Sequence, residues 1–158
     1  MTLNEKEKQL GLQFKQDLEL LQKSLGVLMY SYEQCRNFLN KLDLSPEEEE
    51  KIEALTARFS RTSDFFTQKI IKTLLILLKE DVLTFIDRAH FLEKIGAIES
   101  AQELIDVRSL RNEISHEYSA DLSDLFKTVL QYTPSLKNLI ESLQSYVQIN
   151  FPLKDLLK

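Results

Sequence analysis

Residues 14–42, FKQDLELLQKSLGVLMYSYEQCRNFLNKL, carry apolar side chains at alternating intervals of four and three residues. The repeating positions are Phe14, Leu18, Leu21, Leu25, Leu28, Tyr32, Cys35, Leu39 and Leu42. This heptad spacing predicts one long helix, from about Asn4 to Asp43, that packs along a neighbour at a shallow angle. Gly26 falls inside the repeat, and a break there would give two shorter helices. We interpret the stripe as the core of a bundle within the chain, with a coiled-coil site for a separate partner helix as the alternative.

A second, central helix is predicted from Ser45 to about Lys79. Ser45 is a suitable N-cap, Pro46 suits the first helical position, and Glu48 completes a capping box. The run Leu74–Leu78 is apolar on all sides, which is typical of a buried helix.

Three further helices are predicted in the second half of the chain. The first spans Asp81 to Ile95 and ends at Gly96, and the second spans about Glu99 to Glu117. The last runs from Asp121 to about Asn150, and Pro134 within it predicts a kink or a break.

Composition supports one all-α domain. The chain has 158 residues, a net charge of −5, three glycines and three prolines, so we predict a single domain over residues 1–158. The expected architecture is an up-and-down bundle of four to five helices with a long N-terminal helix, followed by a short tail at residues 151–158. The acidic balance means that any contact with RNA must be local.

The sequence also indicates in which cellular compartment the protein is found. No apolar run reaches the roughly 20 residues needed to span a bilayer, and the N-terminus is unlike a signal peptide. A lone Cys35 suits a reducing environment. We therefore expect a cytoplasmic protein that does not contact a membrane.

Polar chemistry is concentrated in residues 111–118, RNEISHEY. At 100° per residue, the apolar face of Ala101, Leu104 and Ile105 turns polar over the last two turns of its helix. A helix that only packed in a core would have kept this face apolar. The pattern predicts a polar cleft or interface lined by Arg108, Arg111, Asn112, Ser115 and His116.

Arg111 and His116 are five residues apart, which places them about 140° from each other on an unbroken helix. They converge on one ligand only if the helix ends near His116 or if a second copy contributes. If Ala101, Leu104 and Ile105 pack against their symmetry copies, a two-fold dimer forms one composite cleft.

Other polar residues have more than one interpretation. Asp64 could orient an arginine or histidine of residues 111–118. Arg58 and Arg61 could form surface ion pairs or add positive charge near the cleft. His90 is expected to be a partly buried structural residue, because no ligand-type side chain stands beside it at metal-binding spacing. The consecutive glutamates at 47–50 fan around a helix, so no metal site is expected.

A purely structural interpretation also exists for residues 111–118. Arg111, Asn112 and His116 could cap the carbonyls at the end of their helix and form salt bridges with Glu113 or Glu117. The chain would then be a helical scaffold.

The spacing R-x4-H-x-Y at Arg111, His116 and Tyr118 resembles the signature of HEPN-domain proteins, specifically the HepT toxins and the substrate-binding subunits of minimal nucleotidyltransferases. The order of helices from about Leu10 to Leu143 is similar as well. The resemblance implies a metal-independent endoribonuclease without a cofactor, with Arg111 and His116 as catalytic residues at a homodimer interface. The helix-face analysis adds Arg108, Asn112 and Ser115 as substrate-binding or site-supporting residues, and the position of Asp64 adds that carboxylate.

The resemblance also implies a partner. A minimal nucleotidyltransferase antitoxin would transfer AMP onto Tyr118, placing negative charge and bulk over the cleft where RNA phosphate would bind. The alternative within the same family is a non-catalytic substrate-binding subunit of a two-component minimal nucleotidyltransferase.

Overall fold

The computed structural model describes residues 4–38, 40–82, 84–116 and 122–151. These residues form an all-α helical bundle, as predicted, and no strand occurs among them. The helices are α1 (Glu5–Cys35), α2 (Pro46–Asp64), α3 (Ile71–Leu77), α4 (Phe85–Lys94), α5 (Ala101–His116) and α6 (Leu122–Asn150). A π-helical turn at Phe65–Ile70 joins α2 to α3 without a break, so the bundle has five helical rods.

Helix α1 is the long helix that the heptad spacing predicts, and it runs unbroken through Gly26. Most positions of the repeat are buried, and Phe14, Leu21 and Leu28 are fully so. Asn4, the expected start of the helix, caps it and forms a complete capping box with Glu7. The prediction of one continuous helix packed inside the chain is therefore confirmed.

The predicted extension of α1 to Asp43 is wrong. The helix ends at Cys35 and continues only as a short 3₁₀ turn at Arg36–Phe38. Leu42, assigned to the buried stripe, is 99% exposed, and Leu39 lies outside the described residues. Asn37 and Asn40 account for the early end, because asparagine side chains hydrogen-bond to nearby backbone in turns and compete with the helix.

The predicted capping box of α2 is present. The Ser45 hydroxyl accepts a hydrogen bond from the Glu48 N–H at 3.2 Å, and the Glu48 carboxylate accepts from the Ser45 N–H at 3.0 Å. The Lys41 ammonium lies 2.7 Å from the same carboxylate. The pKa of Glu48 is lowered from 4.5 to about 2. The largest cause is the hydrogen bond from Lys41, and the next is the one from the Ser45 backbone.

A pH-dependent loss of stability follows from Glu48. Its folded-state pKa lies below the ordinary value, so its contribution is present above pH 4.5 and is lost as the pH falls towards 2. Glu48→Gln should have a lower urea midpoint than the wild type at pH 7, and the gap should narrow below pH 4.5. Glu53→Gln, which removes an exposed carboxylate from the same helix, should show no such convergence. A gap that stays constant from pH 7 to 3 would contradict the assignment.

The rod formed by α2, the π turn and α3 occupies the centre of the bundle. Its α2 segment packs against α1, α5 and α6, and Phe59 and Phe66 are fully buried. The predicted central helix is confirmed, but not its burial on all sides, because Ile76 is 60% exposed. One face of this rod is open to solvent.

The π turn accompanies a run of buried side chains that are spaced four residues apart. Thr62, Phe66, Ile70 and Leu74 are fully buried at successive intervals of four. Three such intervals span 12 residues, whereas three α-helical turns need about 10.8. The wider π turn takes up the extra residue and keeps all four side chains on the core side.

The second half of the chain differs from its predictions at two points. Helix α4 starts at Phe85, with Thr84 as its cap, rather than at Asp81. His90 is exposed, so its predicted partial burial is wrong, because α4 turns Ala89 and Leu92 to the core instead. Gly96 follows α4 with φ +81°, as expected for a residue that ends a helix.

Helix α6 continues through Pro134, so the chain does not break there. Leu136, Ile140 and Leu143, beyond the proline, are fully buried and hold the second half of the helix on the bundle. Within the described part of the chain, no helix combines the length and apolarity that crossing a bilayer requires.

Candidate functional site

Arg111 joins helix α5 to the centre of the bundle. Its Nε and Nη2 atoms donate to the two carboxylate oxygens of Asp64, each at 2.8 Å. Asp64 is the last residue of α2, 47 positions earlier in the chain. The arginine side chain is 25% exposed and the aspartate side chain 35% exposed. A bidentate contact of this kind fixes both the position and the plane of the guanidinium group.

Ser115 completes the contacts of this guanidinium group. Its hydroxyl accepts a hydrogen bond from Nη1 of Arg111, one helical turn earlier. An arginine carries five N–H donors. Asp64 takes two of them and Ser115 takes one, so among the described residues two donors are left for a ligand.

The contact with Asp64 separates two interpretations of residues 111–118. A helix cap would pair Arg111 with Glu113 or Glu117 near the helix end. Arg111 pairs instead with a carboxylate from the central rod, while Glu113 is exposed and Glu117 lies outside the described residues. For Arg111, the predicted salt bridge to Glu113 is therefore wrong.

His116 lies on a different side of α5 from Arg111. The helix is unbroken through His116, so the two residues lie about 140° apart around its axis. Ile105, Ser109, Asn112 and His116 fall within about 60° of one another. We call these four residues the outward face of α5, because Ser109, Asn112 and His116 are exposed and Ile105 is partly exposed. Tyr118 lies outside the described residues.

The expected dimer contact through Ala101 and Leu104 is wrong. Ala101 is 1% exposed and Leu104 is fully buried within a single chain. Both belong to the core where α5 packs against α2, α4 and α6. A second copy can reach the exposed residues of α5, which include the outward face with Ile105.

Arg108 is turned away from Asp64. Its guanidinium carbon lies 4.2 Å from the centre of the Phe85 ring on α4, a distance typical of a cation–π contact. The predicted polar lining is therefore divided among three surroundings: Arg111 and Ser115 meet Asp64, Arg108 meets α4, and Asn112 and His116 face solvent. Sequence reasoning missed Phe85, which only the packing of α4 on α5 brings to Arg108.

The two arginines of α2 also have different surroundings. Arg58 donates to the Ser31 hydroxyl of α1 at 2.6 Å, so it braces two helices and is not a surface ion pair. Arg61 is exposed and lies near Asp64, where both line the same surface groove. Of the two arginines of α2, Arg61 is the one that adds positive charge beside the Arg111–Asp64 pair.

Within residues 4–38, 40–82, 84–116 and 122–151, no group of three or more His, Cys, Asp or Glu side chains is placed to hold a metal ion. Comparison of the chain with protein-family models, with curated proteins and with solved structures found no match.

Proposed function

We propose that the chain is a HepT-like toxin of the HEPN class: a cytoplasmic, metal-independent endoribonuclease with a composite site in a homodimer. The observation that carries the proposal is the bidentate anchoring of Arg111 by Asp64, five residues before the exposed His116. An arginine that served only as a helix cap would contact groups at the end of its own helix, whereas Arg111 pairs with Asp64 of α2.

The chemistry requires three functions. A base removes the proton from a ribose 2′-hydroxyl, an acid protonates the leaving 5′-oxygen, and positive charge stabilises the phosphorane between these steps. An imidazole can act as acid or base near neutral pH. A guanidinium group presents a fork of donors to phosphate oxygens. We assign the proton transfers to His116 and the phosphate contact to the two remaining donors of Arg111.

The homodimer follows from the placement of these two groups. One imidazole does not easily serve as base and acid in the same turnover, and Arg111 and His116 of one chain lie on different sides of α5. A second copy that places its own His116 beside Arg111 would bring an imidazole and a guanidinium group from different chains into one cleft. Asn112 and Ser109, on the outward face of α5, provide polar contacts beside His116.

The proposal includes a nucleotidyltransferase antitoxin as partner. In the modification, the Tyr118 phenol oxygen attacks the α-phosphate of ATP, a new O–P bond forms, and pyrophosphate leaves. Tyr118 is two residues beyond His116, so the attached AMP would place a negative charge close to the imidazole and compete with RNA.

The products of the reaction test the proposal. Purified protein incubated with RNA and EDTA should produce fragments with 2′,3′-cyclic phosphate and 5′-hydroxyl ends. These ends arise because the 2′-oxygen forms a bond to phosphorus while the bond to the 5′-oxygen breaks. The measurement is mass spectrometry of the fragments.

A matched substrate provides the control. An oligonucleotide with a single 2′-deoxy residue at the cleaved position should stay intact. Absence of fragments, or cleavage of the deoxy substrate, would overturn the proposal. Absence of cleavage together with binding of ATP or of a nucleotidyltransferase chain would support the non-catalytic binding subunit instead.

A further inference from the structure

A surface groove lies directly beside the Arg111–Asp64 pair, on the open face of the central rod. It has a volume of about 470 Å³ and is lined by Arg61, Asp64, Phe65, Gln68 and Lys69. We call it the π-turn groove, because three of these residues belong to the π turn. Asp64 is shared between the groove and the contact with Arg111.

The π-turn groove is positively charged although the protein is acidic. The whole chain has a net charge of −5, but the segment from Arg61 to Lys72 contains three cations and one anion. The cations Arg61, Lys69 and Lys72 are exposed. Within the described part of the chain none of them forms a salt bridge, whereas the anion, Asp64, is paired with Arg111. A local excess of cations on an acidic protein favours an anionic ligand at this place.

The π turn is what brings the two ends of the groove together. On a regular α-helix, Lys69 would lie about 140° around the axis from Asp64. The wider turn at Phe65–Ile70 rotates less per residue, so the total angle falls short of the α-helical one by up to about 100°. Lys69 is thereby brought round to the side of Arg61 and Asp64, where all three line one surface. Single π turns often occur at functional sites.

The groove also contains an aromatic side chain among its polar residues. Phe65 is only partly buried, whereas its neighbour Phe66 is fully buried. An aromatic ring beside cations is the combination with which proteins hold single-stranded nucleic acid: cations contact the backbone phosphates and the ring stacks with a base. The Phe65 ring packs partly against the hydrophobic core, and its exposed part is available to a base.

We propose that the π-turn groove binds the backbone of single-stranded RNA next to the scissile phosphate, with phosphates at Arg61 and Lys69 and a base on Phe65. The identity of the polyanion as RNA rests on the proposed function. The RNA strand would run from Arg111 past Asp64, which contacts both sites, and on into the groove. Substrate affinity would then come from the central rod, and cleavage from α5.

Binding of an RNA that resists cleavage tests the groove separately from the reaction. The probe is a short, fluorescein-labelled 2′-O-methyl oligoribonucleotide, and the measurement is fluorescence anisotropy at several salt concentrations. The test variant is Arg61→Glu with Lys69→Glu. The matched control is Lys23→Glu with Lys127→Glu, which replaces two exposed lysines on α1 and α6 and changes the net charge equally.

We expect the test variant to lose affinity by about tenfold or more, and the control by less than about threefold. The slope of log K against log salt should fall by about 1.4, because two phosphate contacts are lost. Arg61→Gln with Lys69→Gln should show a smaller loss in the same direction. Circular dichroism of each variant checks that its helices are intact.

The outcomes separate the two proposals. If the wild type cleaves RNA but the test variant binds the probe as well as the control does, the groove proposal is overturned and the proposed function stands. If the wild type binds the probe through Arg61 and Lys69 but cleaves no RNA, the groove proposal stands and the ribonuclease is overturned. If the probe does not bind at all, while an acidic protein partner does so through the same cations, the groove is a protein-docking surface and the RNA proposal fails.

Discussion

His116→Ala is expected to lower the rate of chelator-resistant RNA cleavage by about 100-fold or more, the usual contribution of a positioned acid or base. His116 is exposed at the end of α5, and its imidazole makes no hydrogen bond to another described residue. The free energy of unfolding should therefore change by less than about 0.5 kcal/mol. Single-turnover cleavage of a labelled RNA and urea denaturation of the same preparation give both quantities.

The chain offers a matched control for this substitution. It contains two histidines, and His90 is likewise exposed on a helix, α4. His90→Ala should cleave RNA at the wild-type rate. Equal cleavage by His116→Ala and His90→Ala, or a loss of activity that tracks a loss of stability, would remove His116 from the mechanism.

The second large effect is expected at the Arg111–Asp64 pair. Arg111→Lys keeps the charge but loses the bidentate geometry, and should lower the cleavage rate by about 100-fold. Asp64→Asn removes the anion that holds the guanidinium plane, and should cost about tenfold or more through misplacement of the group. Because both changes disturb one unit, the double variant should be little worse than Arg111→Lys alone. Rates of the four proteins complete this double-mutant cycle.

Stability measurements decide whether the pair acts in the reaction or only in the fold. Both side chains are partly exposed, and an exposed pair contributes about 1 kcal/mol or less. Asp106→Asn is the control for Asp64→Asn, because Asp106 accepts its hydrogen bond from Gln102 within α5. Two results would show that Arg111 and Asp64 do not work together on the substrate. One is a double variant whose loss of rate is the product of the two single losses, and the other is a loss in Asp64→Asn no larger than that in Asp106→Asn.

The helices were predictable because their signals are local. The heptad spacing of α1 and the capping box at Ser45 depend on residues within one or two turns of each other, and both predictions are confirmed. Asp64 could be suggested as a partner of residues 111–118 from its place on a buried helix. Its bidentate contact with Arg111 depends on how α2 meets α5, which no local pattern specifies.

The predictions are wrong where they had to state what one face of a helix packs against. Periodicity shows that Ala101 and Leu104 share a face, but it does not show whether that face meets the chain's own core or a second copy. The same ambiguity affected His90, whose exposure depends on which side of α4 faces the bundle. The face of α5 predicts Arg108 in the cleft. Its contact with Phe85 could not be foreseen, because Phe85 lies on another helix.

The apolar pattern of the sequence did not predict the π turn. A buried repeat of four residues, maintained from Thr62 to Leu74, is too long for a regular α-helix and needs an extra residue.

The separation of 47 residues between Asp64 and Arg111 has a consequence for how the molecule assembles. Closing a loop of this length carries an entropic cost that one partly exposed ion pair does not offset. The pair therefore depends on the packing of α5 against the central rod, in which Leu104, Val107 and Leu110 are buried. Substitutions that loosen this packing would separate Arg111 from Asp64 while most of the helices remain folded.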